Sequence, residues 1–268
     1  MRHLLTLTLG LGALTLTATA ADITIVNPGF EDVSGETQQN EFTFGALPGW
    51  SLYDPENITS DGDGPTYYVG TLQPQILGED EVYQNFPAGA PEGTRVAIAF
   101  NFDGSGDDGE YGLQQILSAT LQANTRYTLS ALIGNIASGQ SVASGYFDLD
   151  GFPGYRVDLM AGGTVLASDN NSLAGSITEG TFALSSTVYD SPSFGALIGQ
   201  QLAIRLVNLN QTAGVPEGSD LEVDFDDISL TAVAIPEPAS AALLLAGTAA
   251  LLATTRRHRR PPTAPDKN

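Results

Sequence analysis

The 268-residue chain contains no cysteine and two histidines, His3 and His258, each near one end. Without thiols there are no disulfides, zinc–thiolate sites or cysteine nucleophiles, so an exported domain must be held by its core. Without an imidazole in the body, Ser-His-Asp catalysis and histidine-ligated metals are excluded there too. Cations are almost as scarce. Residues 22–235 hold 29 acidic residues against four arginines (Arg95, Arg126, Arg156, Arg205) and no lysine, a net charge of −25. A field of that sign repels nucleic acid and anionic lipid and favours divalent cations. Gly-rich phosphate loops and a Ser elbow are missing as well.

The long apolar runs sit at the two ends. Arg2 and His3 precede an apolar, threonine-rich stretch that reads as a signal peptide over residues 1–20, with Ala18 and Ala20 as the small residues before the cut by signal peptidase. At the other end, Pro236-Glu237-Pro238 is followed by an apolar run over 239–253. Then come Arg256, Arg257, His258, Arg259 and Arg260, and a short polar tail over 261–268. Fifteen residues rise about 22 Å as a helix, short of the ~30 Å hydrocarbon core, and Thr254, Thr255 and snorkelling arginines extend the reach. A C-terminal transmembrane helix over 239–255 is therefore expected, with its arginines in the cytoplasm and the body of the chain outside.

The order of Pro-Glu-Pro, apolar helix and basic cluster over residues 235–260 resembles the PEP-CTERM sorting signal. The resemblance implies an exosortase as partner, with Pro236, Glu237, Pro238, Arg256, Arg257, Arg259 and Arg260 as the sorting motif. It also implies a transient anchor in the inner membrane of a Gram-negative bacterium, then delivery to the cell surface or extracellular matrix.

Between the two signals, residues 21–234 alternate apolar and polar positions in short runs separated by Gly, Pro, Asn and Asp, an all-β pattern. Strands are predicted over 126–133, 155–160, 164–167, 180–184, 201–207 and 221–230. Ala161-Gly162-Gly163 is predicted as a hairpin turn. In the last strand Leu221, Val223 and Phe225 alternate with Glu222, Asp224 and Asp226, which predicts one buried face. Residues 58–85, rich in Gly, Asp and Pro, read as a long excursion from the sheet. No repeat of fixed period is present, so a single-domain jelly-roll β-sandwich is favoured over a β-helix.

Two landmarks bracket this domain: NPGFED at residues 27–32 with LPGW at 47–50, and VDFDDISL at 223–230. Together they resemble the galactose-binding-like jelly roll of carbohydrate-binding modules. The resemblance implies a structural calcium ion where the first and last strands meet, with Glu31 and Asp226 or Asp227 as ligands, in keeping with calcium's taste for carboxylate oxygen. The loop over 101–110 fails as an EF-hand because its closing position is Gly112. Trp50, alone after Pro-Gly, reads as core. Tyr53, Tyr67, Tyr68 and Tyr111 lie in or beside polar loops and are the candidates to stack on a sugar. The resulting expectation is a non-catalytic surface or matrix protein, not an enzyme, that binds or organises exopolysaccharide. The alternatives are a ligand-free structural matrix protein and a glycoside hydrolase using two of the many carboxylates.

Overall fold

A computed structural model describes residues 19–45, 47–77, 82–102, 109–141 and 145–236. The chain divides into a body, Ala20–Val233, and a second unit made of its two ends, 1–19 and 234–268. The leader through Ala18, the apolar run and the arginine cluster lie outside the described residues, as do Glu237 and Pro238. Among the described residues no helix is long and apolar enough to cross a membrane.

The described strands, in chain order, are β1 (Ala21–Asp22), β2 (Gln38–Gln39), β3 (Phe42–Phe44), β4 (Ser51–Tyr53), β5 (Tyr67–Leu72), β6 (Gln75–Leu77), β7 (Val82–Gln84), β8 (Val96–Asn101) and β9 (Tyr111–Thr120). The second half adds β10 (Thr125–Asn135), β11 (Gly139–Ser141), β12 (Gly145–Phe147), β13 (Tyr155–Ala161), β14 (Thr164–Asn170), β15 (Thr181–Asp190), β16 (Gln201–Asn208) and β17 (Leu221–Ala234). The larger sheet runs β15-β10-β17-β8-β5-β3-β2, with β1 also on β17, and the smaller runs β14-β13-β16-β9-β4. The main core lies between them. Val69, Ala99, Leu129, Ile133, Val223 and Phe225 from the larger sheet meet Leu113, Tyr155, Leu159, Leu202 and Leu206 from the smaller. The expected all-β sandwich is what the chain forms.

Every predicted strand is present and most run longer than expected. The β13–β14 hairpin turns at Gly162 and Gly163, with φ of 54° and 80°, and closes through Ala161 opposite Thr164. Two consecutive positive φ values match the right-handed strand twist, which is why glycine stands there. The NPGF and PGW landmarks form one structure. The Trp50 indole N–H donates to the Asn27 carbonyl at 3.0 Å, the Phe30 ring lies 5.3 Å from that of Trp50, and the Asn27 amide ties down Asp32. Trp50 is core, as its position suggested.

Two expectations fail, and for one reason. Residues 58–85 are not simply an excursion, because they contain β5, a central strand buried along its whole length between β8 and β3. Nor is β17 buried on one face only: Glu222, Asp224 and Asp226 are as inaccessible as Val223 and Phe225. The larger sheet carries a second apolar layer on its outer face, where Phe42, Tyr68, Leu72, Ile98 and Phe100 are covered by Phe86, Ile136 and Leu149 from the connecting segments. Tyr68 and Phe100 point into this layer, while Tyr67 and Ala99 point into the main core.

The open side of the sandwich is closed by Asp169 on β14. Its carboxylate accepts from the Tyr155 hydroxyl at 2.6 Å, the Ser185 hydroxyl of β15 at 2.6 Å, and the Ser172 hydroxyl and N–H at 2.9 and 3.1 Å. Burial pushes its pKa up, but these donors outweigh burial and hold it below the usual carboxylate value. Asp169→Ala leaves two buried hydroxyls without their acceptor and should destabilise the fold by about 3 kcal/mol in urea unfolding. A loss below about 1 kcal/mol would show that the edge strands do not depend on this tie.

Candidate functional site: buried acids behind an aromatic recess

The outer face of the larger sheet is where chemistry concentrates. Strand register places Tyr68, Phe100 and Glu222 in one cross-strand row and Gly70, Ile98 and Asp224 in the next. On the far side of β17, β10 brings Gly134 against Asp224. A Cβ added at Gly134 would lie 2.8 Å from the Asp224 Cβ, 2.7 Å from Phe182 and 2.9 Å from Phe86. Only a glycine lets these three groups close over the strand. The Phe86 and Phe182 rings pack at 4.3 Å, so Asp224 is roofed by aromatic carbon.

Glu222 and Asp224 are buried without a cation. None of the ion pairs among the described residues involves either group. Both Asp224 oxygens and Glu222 Oε1 have no hydrogen-bond partner. The two carboxyls lie close enough to interact directly, each shifting the other's ionisation. Desolvation dominates. It raises Glu222 to about 8, with contact to the Asp224 carboxyl opposing and the charge of Asp220 adding. Asp224 is raised well above its ordinary value by desolvation and then by Glu222. An uncompensated carboxylate in such a place is costly, so burial favours the neutral acid form of both groups. Neutral carboxylic acids in a dry site are proton donors.

Beside them opens a recess of about 480 Å³, lined by Gln39, Phe44, Asp63, Gly64, Pro65, Tyr68, Phe100, Phe102 and Phe147. Tyr68 stacks on Phe100 at 4.8 Å, Phe44 meets the Tyr68 ring edge-on at 4.8 Å, and Phe147 stands perpendicular to Phe100 at 5.7 Å. Neither acid forms the wall itself. Phe100 stands between Glu222 and Tyr68 in the row, and the Tyr68 phenol is pushed well up by burial and by the charges of Glu222, Asp220 and Glu41.

The tyrosines expected at the surface are placed differently. Tyr67 and Tyr111 are interior, edge to face at 5.6 Å, and Tyr68 lines the recess. Tyr53 is on the other sheet, donating to Glu110 at 2.6 Å beneath the Arg205 guanidinium. They form no common sugar platform. Glu31 and Asp226 do meet, through one loop. Glu31 accepts from the N–H groups of Thr94 and Arg95 at 2.7 and 2.6 Å, and Asp226 accepts from Glu92 and Asp227 at 2.8 and 2.7 Å. Asp227 faces outward. Among the described residues no three acidic or histidine side chains gather as a metal site. These carboxylates clamp the loop leading into β8 and do not by themselves supply the six to eight oxygens calcium takes. Ala20 is exposed.

The outer face of this β-sandwich thus sets two buried acids beside an aromatic recess. The chain belongs to the HpiC1-like family, described as HpiC1 cyclase, which matches residues 21–231. It is similar to a crystallised cyclase from Fischerella sp. TAU at 36% identity, over 82% of this chain and 100% of that one, with a TM-score of 0.66. The Stig cyclase Fisc from the same organism, solved with (3Z)-3-(1-methyl-2-pyrrolidinylidene)-3H-indole, is 36% identical over 80% of this chain and 98% of that one, TM-score 0.65. A cyclase solved with 4-(1H-indol-3-yl)butan-2-one is 34% identical over 81% and 100%, TM-score 0.65. No curated protein matches the chain.

This membership overturns the non-catalytic, exopolysaccharide-binding surface protein expected from the sequence, and with it the conclusion that the chain is not an enzyme. The matrix-protein and glycoside-hydrolase alternatives fall with it. The physical reason is that missing His, Cys and phosphate loops exclude only the catalysis that uses them. A carboxyl becomes a catalyst through burial, which composition does not display.

A carboxyl with a raised folded pKa binds its proton more tightly folded than unfolded. Stability is then greatest below the unfolded value near 4 and falls as pH rises toward the folded value, about 8 for Glu222. Glu222→Gln and Asp224→Asn remove that loss. At pH 8 each should melt at or above the wild-type Tm, with a flatter profile between pH 4.5 and 8, by an amount on the order of several kcal/mol at most. Lower melting at every pH would mean that the acids are structural.

Proposed function

We propose that the chain catalyses an acid-initiated cyclisation of an aromatic substrate, an indole carrying an alkene in its side chain, with the Asp224–Glu222 pair as proton source. The observation that carries this reading is the desolvated, cation-free pair roofed by Phe86 and Phe182 next to an aromatic recess. The indole class is taken from the ligands of the similar cyclases.

In the first step the acid O–H bond breaks and its proton forms a C–H bond at one alkene carbon. The neighbouring carbon is left as a cation and the acid as a carboxylate. The indole π bond then attacks the cation and closes the ring. Loss of a ring proton back to the carboxylate restores aromaticity, so the product is an isomer of the substrate and no cofactor is consumed. Ring faces of Tyr68, Phe100 and Phe147 stabilise the cation without offering it a nucleophile, and the low-dielectric site strengthens its attraction to the new carboxylate. Substrate reaches the acids when the covering rings part, in line with catalytic contacts that tighten only in the complex.

The leader over 1–20 carries a second part of the proposal: the enzyme works outside the cytoplasm. Fractionation that leaves the whole pool in the cytoplasm would sink that part alone.

Purified protein incubated with a series of 3-alkenyl indoles should convert at least one of them to a product of equal mass and new ring connectivity, read by chromatography and NMR. Asp224→Asn and Glu222→Gln should lower the rate by about 100-fold or more while the Tm is kept. The rate should fall as pH rises past the raised pKa of the pair, because only the protonated form donates. An inert wild type, or variants as fast as wild type, would overturn the assignment.

A further inference from the structure

We infer that the recess takes a substrate bearing an organic cation, an ammonium or iminium nitrogen, and that Asp63 is the residue that selects it. The inference rests on reading the recess as a substrate site and adds the charge of what enters. Among the described residues forming its wall, the polar side chains are Gln39, Asp63 and the Tyr68 phenol, and Asp63 is the charged one. The others present aromatic or aliphatic carbon. Tyr68, Phe100 and Phe147 meet at stacked and perpendicular angles, which turns ring faces and edges toward a common space. Ring faces carry negative quadrupole density, and several around one cavity with a carboxylate at the rim form a cage for an organic cation. Among the described residues no arginine or lysine contributes to the wall, and the net charge of the body disfavours an anionic substrate before it arrives.

Asp63 is held in place by a preformed loop. The Asp54 carboxylate accepts from the N–H groups of Ile58 and Thr59 at 3.0 and 2.8 Å and from the Thr59 hydroxyl at 2.6 Å. The Thr59 carbonyl in turn accepts from Gly62 and Gly64 at 3.0 and 2.9 Å. Asp63 itself pairs in a bridge with Tyr68, which ties the carboxylate's backbone to the ring that floors the recess. Gly64 is compulsory, since a Cβ there would stand 2.7 Å from the Thr59 carbonyl. Rigidity of this kind lowers the ordering cost of binding and fixes where the charge sits.

The test uses the full chain and three probes that share an indole and differ in charge: 3-(2-aminoethyl)indole as cation, 4-(1H-indol-3-yl)butan-2-one as neutral molecule and indole-3-propionate as anion. Titration calorimetry at pH 7 should rank cation above ketone and both above the anion. Asp63→Asn should weaken the amine by about fivefold to tenfold and leave the ketone within about twofold. The side chain is exposed, so an unchanged Tm separates lost recognition from lost folding. Unchanged amine affinity in Asp63→Asn, or an equal loss for amine and ketone, overturns the role of Asp63 whatever else is seen. Failure of the wild type to bind the ketone counts instead against the indole reading of the recess, and the amine comparison still decides this one.

Discussion

The structure depends on burial of the larger sheet on both faces. Its inner face meets the smaller sheet, as any sandwich requires. Its outer face is covered by apolar side chains from connecting segments, and this second covering takes the acids of β17 out of water. Alternation along β17 sends Val223 and Phe225 one way and Glu222 and Asp224 the other. Were the second direction open to water, both would be unremarkable carboxylates. Closed off, with no cation among their ion-pair partners, they keep their protons.

The framework was readable because it rests on local rules. Period-two alternation located the strands, consecutive glycines located the β13–β14 turn, and the lone Trp50 was placed correctly in the core. The acids of β17 were visible as residues but were read as a solvated face. That error has a clear source: period two says that the faces differ, not that one of them is wet. The covering groups Phe86, Ile136 and Leu149 come from segments far from β17 in sequence, so no window along the chain contains both acid and cover. One signal was available and not used. The runs YYVGTL and VAIAFN are continuously apolar, the mark of strands buried on both sides, and β5 and β8 are the neighbours that carry the outer layer beside β17.

The candidate site was misread at its other end for a related reason. Tyr67, Tyr68 and Tyr111 lie close to loop-like sequence, which suggested exposure, yet adjacent Tyr67 and Tyr68 point to opposite faces and both faces are closed. Glu31 and Asp226, expected as calcium ligands, both bond to the loop over residues 92–95. Most of their partners are backbone N–H groups, of Glu92, Thr94, Arg95 and Asp227, and backbone donors leave no trace in a sequence. Family membership then reassigns the function from adhesion to catalysis.

Gly134 has a consequence on a longer timescale. It admits Asp224 beneath Phe86 and Phe182, a position that is unfavourable for a carboxyl. Residues kept against their own stability persist in a lineage only while the reaction is under selection. Copies of this fold released from that duty should drift first at the positions of Glu222 and Asp224, toward amides or small apolar residues, while Asp169, Trp50 and the β13–β14 turn stay fixed. Under the role proposed for Asp224, the pairing of an acid on this strand with a glycine across from it marks the members of the family that perform the chemistry, and its loss those that keep only the scaffold.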